Sequence, residues 1–259
     1  LIFPLKQESS IETGAAMRDS WRHFVAEFIG TFALVFVGGA AIMLAKDTGS
    51  PSGLLEIALA HGLILAVMVS ALMRISGHFN PAVTLGFLVT KRIDPLMAGV
   101  YIIAQIMGSI FGAYFLKWTF PFGLFDVTHG GGQSLALQVS GAQGFALEAV
   151  ATFFLVLTVF GTVVDPKAPR IGGLAIGFVV AADILALGPL TGGSMNPARS
   201  FGPAIASGFY EAQLLYWVAP IVGGMVAAIL YDFLFIKRDL EPVDHGVLKP
   251  LATEPHRKK

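Results

Sequence analysis

The 259-residue chain contains no cysteine. Disulfides, thiolate nucleophiles and cysteine-based metal sites are thereby excluded. Charge is scarce: 13% of residues are Asp, Glu, Lys or Arg, where a soluble domain carries about 25%. The formal net charge is zero, so the basic footprint of a nucleic-acid binder is missing. Six scattered histidines give no metal-ligand spacing, and no nucleophile–base pairing stands out. The chain therefore reads as a non-enzyme without metal or cofactor. Residues 1–20 lack the basic start, apolar core and cleavage site of a signal peptide.

What remains is apolar. Hydrophobic residues make up 55% of the chain and the mean hydropathy is +0.73. Six stretches, at about 22–45, 55–74, 95–118, 142–164, 171–190 and 212–236, reach the roughly 20 apolar residues that cross a bilayer. Two shorter ones, at about 80–90 and 196–206, do not. The expected fold is an all-α membrane protein with six transmembrane helices and two half-helices. A channel domain over 22–236 is expected between terminal tails at 1–21 and 237–259.

The chain is internally duplicated. Ala26-Glu27 leads to Thr31-Phe32 and Leu34-Val35, and Leu147-Glu148 leads at identical spacing to Thr152-Phe153 and Leu155-Val156. The repeats run over about 22–118 and 142–236, each with three spans. An odd number of crossings inverts the second copy, which brings interrupted helices to the midplane from opposite sides. Lys and Arg orient the chain. They gather in both termini and at Lys91, Arg92, Lys167, Arg170, Lys237 and Arg238, against only Lys46 and Lys117 on the opposite side. Both termini are expected to be cytoplasmic, with the loop at about 119–141 facing out.

Each half-helix opens on one triplet: Asn80-Pro81-Ala82 in SGHFNPAVTLG, and Asn196-Pro197-Ala198 in GGSMNPARSFGP. Proline suits the first helical turn and Asn caps it. Non-helical backbone survives at membrane depth only where it is buried in protein or lines a wet cavity. Ser76 to Phe79 and Gly192 to Met195 are therefore expected to present carbonyls to water. The Asn80 and Asn196 amide groups are expected to donate into the same pore. Arg199, one turn into the second half-helix, is too costly at that depth unless it faces water or a partner. Glu27 and Glu148, intramembrane carboxylates at matching places, are expected to accept backbone N–H groups beside each half-helix. Asp183 either pairs with a donor or faces the outer vestibule. Arg74 and Asp232 are expected at the interface. Gly108, Gly112, Gly223 and Gly224 read as close-packing positions.

The two boxes, the repeated glutamate and the Arg after the second box resemble the aquaporins of the major intrinsic protein family, over about residues 22–236. GPLTGGSMNPARSFGPA, from Gly188 to Ala204, is most similar to the tonoplast-intrinsic, ammonia-permeable branch. The resemblance implies a constriction of His61, Ile184, Gly193 and Arg199. His129 of the VTHGGG loop is the counterpart of a further histidine that reaches this ring. The segment before Asn80 is one residue shorter than the family's. The omission is assigned to the loop, which keeps His61 in register; an omission in the helix would turn Ala60 inward instead. The implied function is a passive channel for water and small neutral solutes (ammonia, hydrogen peroxide, urea) that excludes protons and ions. It would be a homotetramer in a lipid bilayer, in the plasma membrane or an organelle. The alternative is a glycerol facilitator, against which Ser200 stands where an Asp is typical. An inverted-repeat transporter would have only Glu27 and Glu148 for its coupling ion.

Overall fold

A computed structural model describes residues 8–237. Of the expected tails, residues 1–7 and 238–259 lie outside the described residues. The helices are α1 (Glu8–Thr48), α2 (Gly53–Leu72), α3 (Pro81–Val89), α4 (Pro95–Thr119), α5 (Phe122–Val127), α6 (Gly141–Val159), α7 (Gly172–Thr191), α8 (Pro197–Ser207) and α9 (Gln213–Tyr231). Among the described residues, six segments are long and apolar enough to cross a membrane: Ser20–Thr48, Gly53–Leu72, Pro95–Thr119, Gly141–Val164, Gly172–Thr191 and Gln213–Ile236. Helices are forced there because every backbone N–H and C=O must pair within the segment. Their outer faces carry Leu63, Val67, Ile103, Phe111, Phe178 and Val226, all exposed, which suits hydrocarbon rather than water.

Two details depart from the sequence reading. Part of the expected N-terminal tail is helical, because α1 begins at Glu8. The fourth and sixth spans end in π-helical turns, Phe160–Val164 and Asp232–Lys237. Asp232, expected at the interface near the end of the sixth span, is buried and pairs with Arg92 at 2.6 Å.

The packing follows the duplication. α1 lies along α4 as α6 lies along α9, and α2 meets its counterpart α7. The half-helices cross over: α3 of the first half packs on α9, and α8 of the second half packs on α4. Small residues set these crossings. A Cβ at Gly62 would lie 2.5 Å from the carbonyl oxygen of Gly177, and one at Gly177 would lie 2.3 Å from that of Gly62. The α1–α4 and α6–α9 crossings repeat the device with Gly108 against the Phe28 carbonyl and Gly223 against that of Ala149, at 2.3 and 1.9 Å. Removing this contact by adding volume costs about 1–3 kcal/mol or more. Gly223→Val should therefore lower the melting temperature of the detergent-solubilised protein, whereas Gly99→Ala, where a Cβ meets nothing within 4 Å, should leave it unchanged.

Candidate pore and constriction

The two segments that precede the half-helices are built alike. Asn80 and Asn196 adopt extended backbone (φ −158° and −152°), and each side-chain oxygen caps its own helix. Asn80 Oδ1 accepts from Ala82 N at 2.9 Å; Asn196 Oδ1 accepts from Ala198 N at 3.0 Å and Arg199 N at 3.2 Å. The amide groups then cross between halves. Asn80 Nδ2 donates to the Met195 carbonyl and Asn196 Nδ2 to the Phe79 carbonyl, both at 2.8 Å. One N–H of each amide is thus spent on the opposite loop, leaving one each for the passage.

Phe79 and Met195 carry left-handed backbone, with φ of 50° and 54°. Such a conformation costs a bulky residue about 1–3 kcal/mol and persists only where the surroundings impose it. Here a carboxylate imposes it on each side. Glu27 accepts from His78 N (2.8 Å), Phe79 N (2.7 Å), Gln105 Nε2 (2.7 Å) and the Ser76 hydroxyl. Glu148 accepts from Ser194 N (2.9 Å), Met195 N (2.8 Å) and Thr191 Oγ1 (2.7 Å). Both glutamates are fully buried. Gln105 escaped the sequence reading; its signal was a pair of polar residues, Gln105 and Ser109, one turn apart in an apolar span. Gly30 makes room for the Phe79 ring, which a Cβ there would approach to 2.2 Å.

A narrow cavity of about 20 Å³ runs past both asparagines, from Gly77 and His78 to Gly193 and Arg199. One wall is apolar, with Leu34, Leu65, Val69, Val83, Leu155, Val159, Ile176 and Val180; the other is the two loops. A polar stripe on an apolar wall lets a small molecule exchange hydrogen bonds without being held on all sides.

Beyond this cavity the structure brings His61, Ile184, Gly193 and Arg199 together. Arg199 Nη1 donates to the Gly193 carbonyl at 3.1 Å, and Nη2 lies 2.9 Å from His61 Nε2. His61 Nδ1 lies 2.8 Å from the Ile57 carbonyl. A carbonyl can only accept, so Nδ1 carries the proton and Nε2 accepts from Arg199. The imidazole thus offers an acceptor to the ring. Gly38 of α1 makes this position possible, since a Cβ there would fall 2.2 Å from Nε2. It was not foreseen; its one trace was the Gly38-Gly39 pair inside a span. Gly193 has φ +55°, and a Cβ on it would meet Ile184 Cα and Cγ1 at 3.3 Å. Its small size therefore serves the backbone and the packing on Ile184, and its contribution to the ring is its carbonyl.

His129 does not join them. It stacks on Phe209 with centroids 3.9 Å apart and rings 4° from parallel. Gly130 and Gly131 take the place beside Arg199 and His61, because positive φ at His129, Gly130 and Gly131 turns the backbone inward there. Asp183 is buried, with Oδ2 lacking a hydrogen-bond partner among the described residues. Among them, too, no cluster of His, Asp or Glu could hold a metal ion.

Six spans, two opposed half-helices and a lined passage between them describe an integral, multi-pass membrane channel built on an inverted repeat. The sequence model of the family described as "Major intrinsic protein" matches residues 15–231. The chain is 44% identical over 233 residues to the probable aquaporin TIP2-2 of Oryza sativa subsp. japonica, covering 86% of this chain and 91% of that relative. It is 44% identical over 226 residues to aquaporin TIP2-1 of Arabidopsis thaliana, covering 84% and 88%. The X-ray structure of the aquaglyceroporin from Plasmodium falciparum superposes with a TM-score of 0.72 at 27% identity, covering 83% of this chain and 96% of that one. The chain belongs to the major intrinsic protein family, and within it to the aquaporins.

Each glutamate grips two backbone N–H groups that have no other acceptor among the described residues. Leaving one buried N–H unpaired costs about 1–3 kcal/mol. Glu27→Ala and Glu148→Ala should each lower the melting temperature markedly and abolish water flux in proteoliposomes. A variant that melts and conducts like the parent would show that its loop stands without the carboxylate.

Proposed function

We propose that this aquaporin conducts water, ammonia and hydrogen peroxide, and urea more slowly, while excluding protons and ions. The observation that carries this reading is the crossed asparagine pair. Both side chains line one cavity, each at the N-terminus of a half-helix, with one N–H left over. A water between them accepts from both and so turns its oxygen toward the pair. It cannot then accept from one neighbour while donating to the next, and a proton wire is interrupted. The positive ends of α3 and α8 oppose cations at the same point.

The ring sets what else passes. Arg199 has five N–H groups, and the two bonds above leave donors for a solute. A neutral molecule with a lone pair, such as ammonia, is accepted by these donors, while ammonium meets a fixed positive charge. Ile184 offers no hydrogen bond, which lowers the penalty for solutes that bond less well than water. Ser200, directly after Arg199, turns its hydroxyl to the Pro197 carbonyl at 3.0 Å and adds no polar group for glycerol, which should pass poorly. The Lys and Arg distribution supports cytoplasmic termini. The resemblance to the tonoplast-intrinsic branch supports an organellar membrane and a homotetramer, each subunit with its own pore.

Two measurements test the reading. Proteoliposomes should shrink rapidly under an osmotic step, and an internal pH dye should report ammonia entry without a protein-dependent proton leak. High water flux with ammonia entry no faster than in empty vesicles would refute the solute assignment. Arg199→Val should retain water flux and admit cations or protons; if it still excludes ions, the guanidinium is not the charge filter.

A further inference from the structure

The outward face of the α1–α4 pair differs from its neighbours. α2 turns Leu55, Leu59, Leu63 and Val67 outward, and α9 turns Leu214, Val218, Val222 and Val226, all exposed. These are branched aliphatic rows, which suit flexible acyl chains. α1 instead carries Phe24, Phe28, Phe32 and Phe36 at every fourth residue, one above the other on one helix face. α4 meets them with Phe111, Phe115 and Trp118.

Glycines on the inner side bring the two rows together. A Cβ at Gly108 would fall 2.3 Å from the Phe28 carbonyl oxygen, and one at Gly112 would fall 3.1 Å from that of Phe32. With the backbones this close, the rings interleave across the seam. Phe111 lies 5.8 Å from both Phe28 and Phe32, centroid to centroid. Phe115 lies 5.9 Å from Phe32 and 5.4 Å from Phe36. Along each helix the rings run nearly parallel: Phe32 and Phe36 are 2° apart, and Phe111 and Phe115 are 23° apart. The seam is a stiff surface, since each side chain has only two rotatable bonds. It is open to the outside, with Phe111 54% exposed.

Lipid covers this face. Trp118, 79% exposed, closes it at one membrane boundary, and Trp21, 64% exposed, at the other. Exposed tryptophans at span ends mark headgroup level. From Phe28 to Phe36 the seam is about 12 Å long at 1.5 Å per residue. That is close to one leaflet, half of a hydrocarbon core about 30 Å thick. An acyl chain gives up bond rotations to lie straight along such a surface, whereas a fused-ring lipid has none to lose in its rings. The hydroxyl of such a lipid sits at headgroup level. The Trp118 indole N–H and, one turn away, the hydroxyl of the exposed Tyr114 are the partners available there. We propose that the seam of Phe28, Phe32, Phe36, Phe111, Phe115 and Trp118 is a sterol-binding surface, which takes one sterol from the leaflet at the Trp118 end.

The test uses purified full-length protein in phosphatidylcholine vesicles, with a photoreactive, diazirine-bearing sterol as probe. Mass spectrometry locates the labelled residues. Labelling should saturate, fall when unlabelled sterol is added, and concentrate on residues 28–36 and 111–118. One aromatic contact corresponds to about fivefold in affinity. Phe111→Leu should therefore raise the sterol concentration for half-labelling by about that factor. Phe178→Leu, on the exposed face of α7, should leave it unchanged. Trp118→Leu, at a position too exposed to affect folding, should weaken labelling as well, and it decides the matter if Phe111→Leu does not assemble. Unsaturable labelling spread equally over α2 and α9 would mean that the seam is covered by ordinary exchanging lipid, and would overturn the proposal. So would parent-like labelling in both seam variants. A second copy of the chain on the seam would overturn it too. The chain lacks cysteine, so Tyr114→Cys offers a single thiol, and efficient disulfide-linked pairing in the vesicles would reveal that copy.

Discussion

Everything in the middle of this channel depends on two buried carboxylates holding peptide backbone in a shape it would not otherwise keep. Glu27 and Glu148 each take the N–H of two successive residues, His78-Phe79 and Ser194-Met195. Those N–H groups belong to no helix, and hydrocarbon offers them no partner. With the loops held, the Phe79 and Met195 carbonyls face the opposite half and receive Asn196 and Asn80. The half-helix ends, the asparagine donors and the position of Arg199 follow from that grip. A carboxylate suits the task because its two oxygens can accept several bonds at once, where an amide would turn a donor toward some of the same N–H groups.

The repeat was legible in the sequence because it is written in residue types. A glutamate, a threonine at the same distance after it and an Asn-Pro-Ala triplet recur in both halves, and apolar length marks the spans. The constriction was legible only in part. His61, Ile184, Gly193 and Arg199 do meet, but the direction of the hydrogen bonds was not. That His61 accepts depends on the Ile57 carbonyl, a backbone group one turn away that composition does not reveal. Gly38 was hidden because its meaning lies in the ring it accommodates on another helix. His129 was misplaced because a loop's backbone turns are set by φ, and three successive positive values send Gly130 and Gly131 inward in its stead. That Asp232 pairs with Arg92, 140 residues away in the chain, was not legible, because the partner comes from a distant loop.

The two halves are not equal in detail. Glu27 is reached by Gln105 from α4, which also donates to Thr84 Oγ1 at 2.9 Å, so three elements of the first half are tied in one buried network. On the other side, among the described residues, Thr191 alone supplies the side-chain bond, and Tyr216 Oη donates to the Thr191 carbonyl at 2.7 Å. Duplication thus preserved the grip on backbone while the supporting side chains diverged. The backbone bonds define the loop, and a supporting donor can come from any neighbouring helix.

The crossing of the half-helices bears on how the chain is made. α3 emerges from a ribosome long before α9, its packing partner, and the Asn80 amide has no acceptor until Met195 exists. The first three spans can enter a bilayer as ordinary hydrophobic segments, but the stretch between them must wait, since its unpaired backbone is unwelcome in lipid. Only synthesis of the last span closes both halves. Biogenesis therefore has a late commitment step, in which two waiting loops are drawn to the midplane together. A chain halted before α9 is a set of inserted helices without a pore.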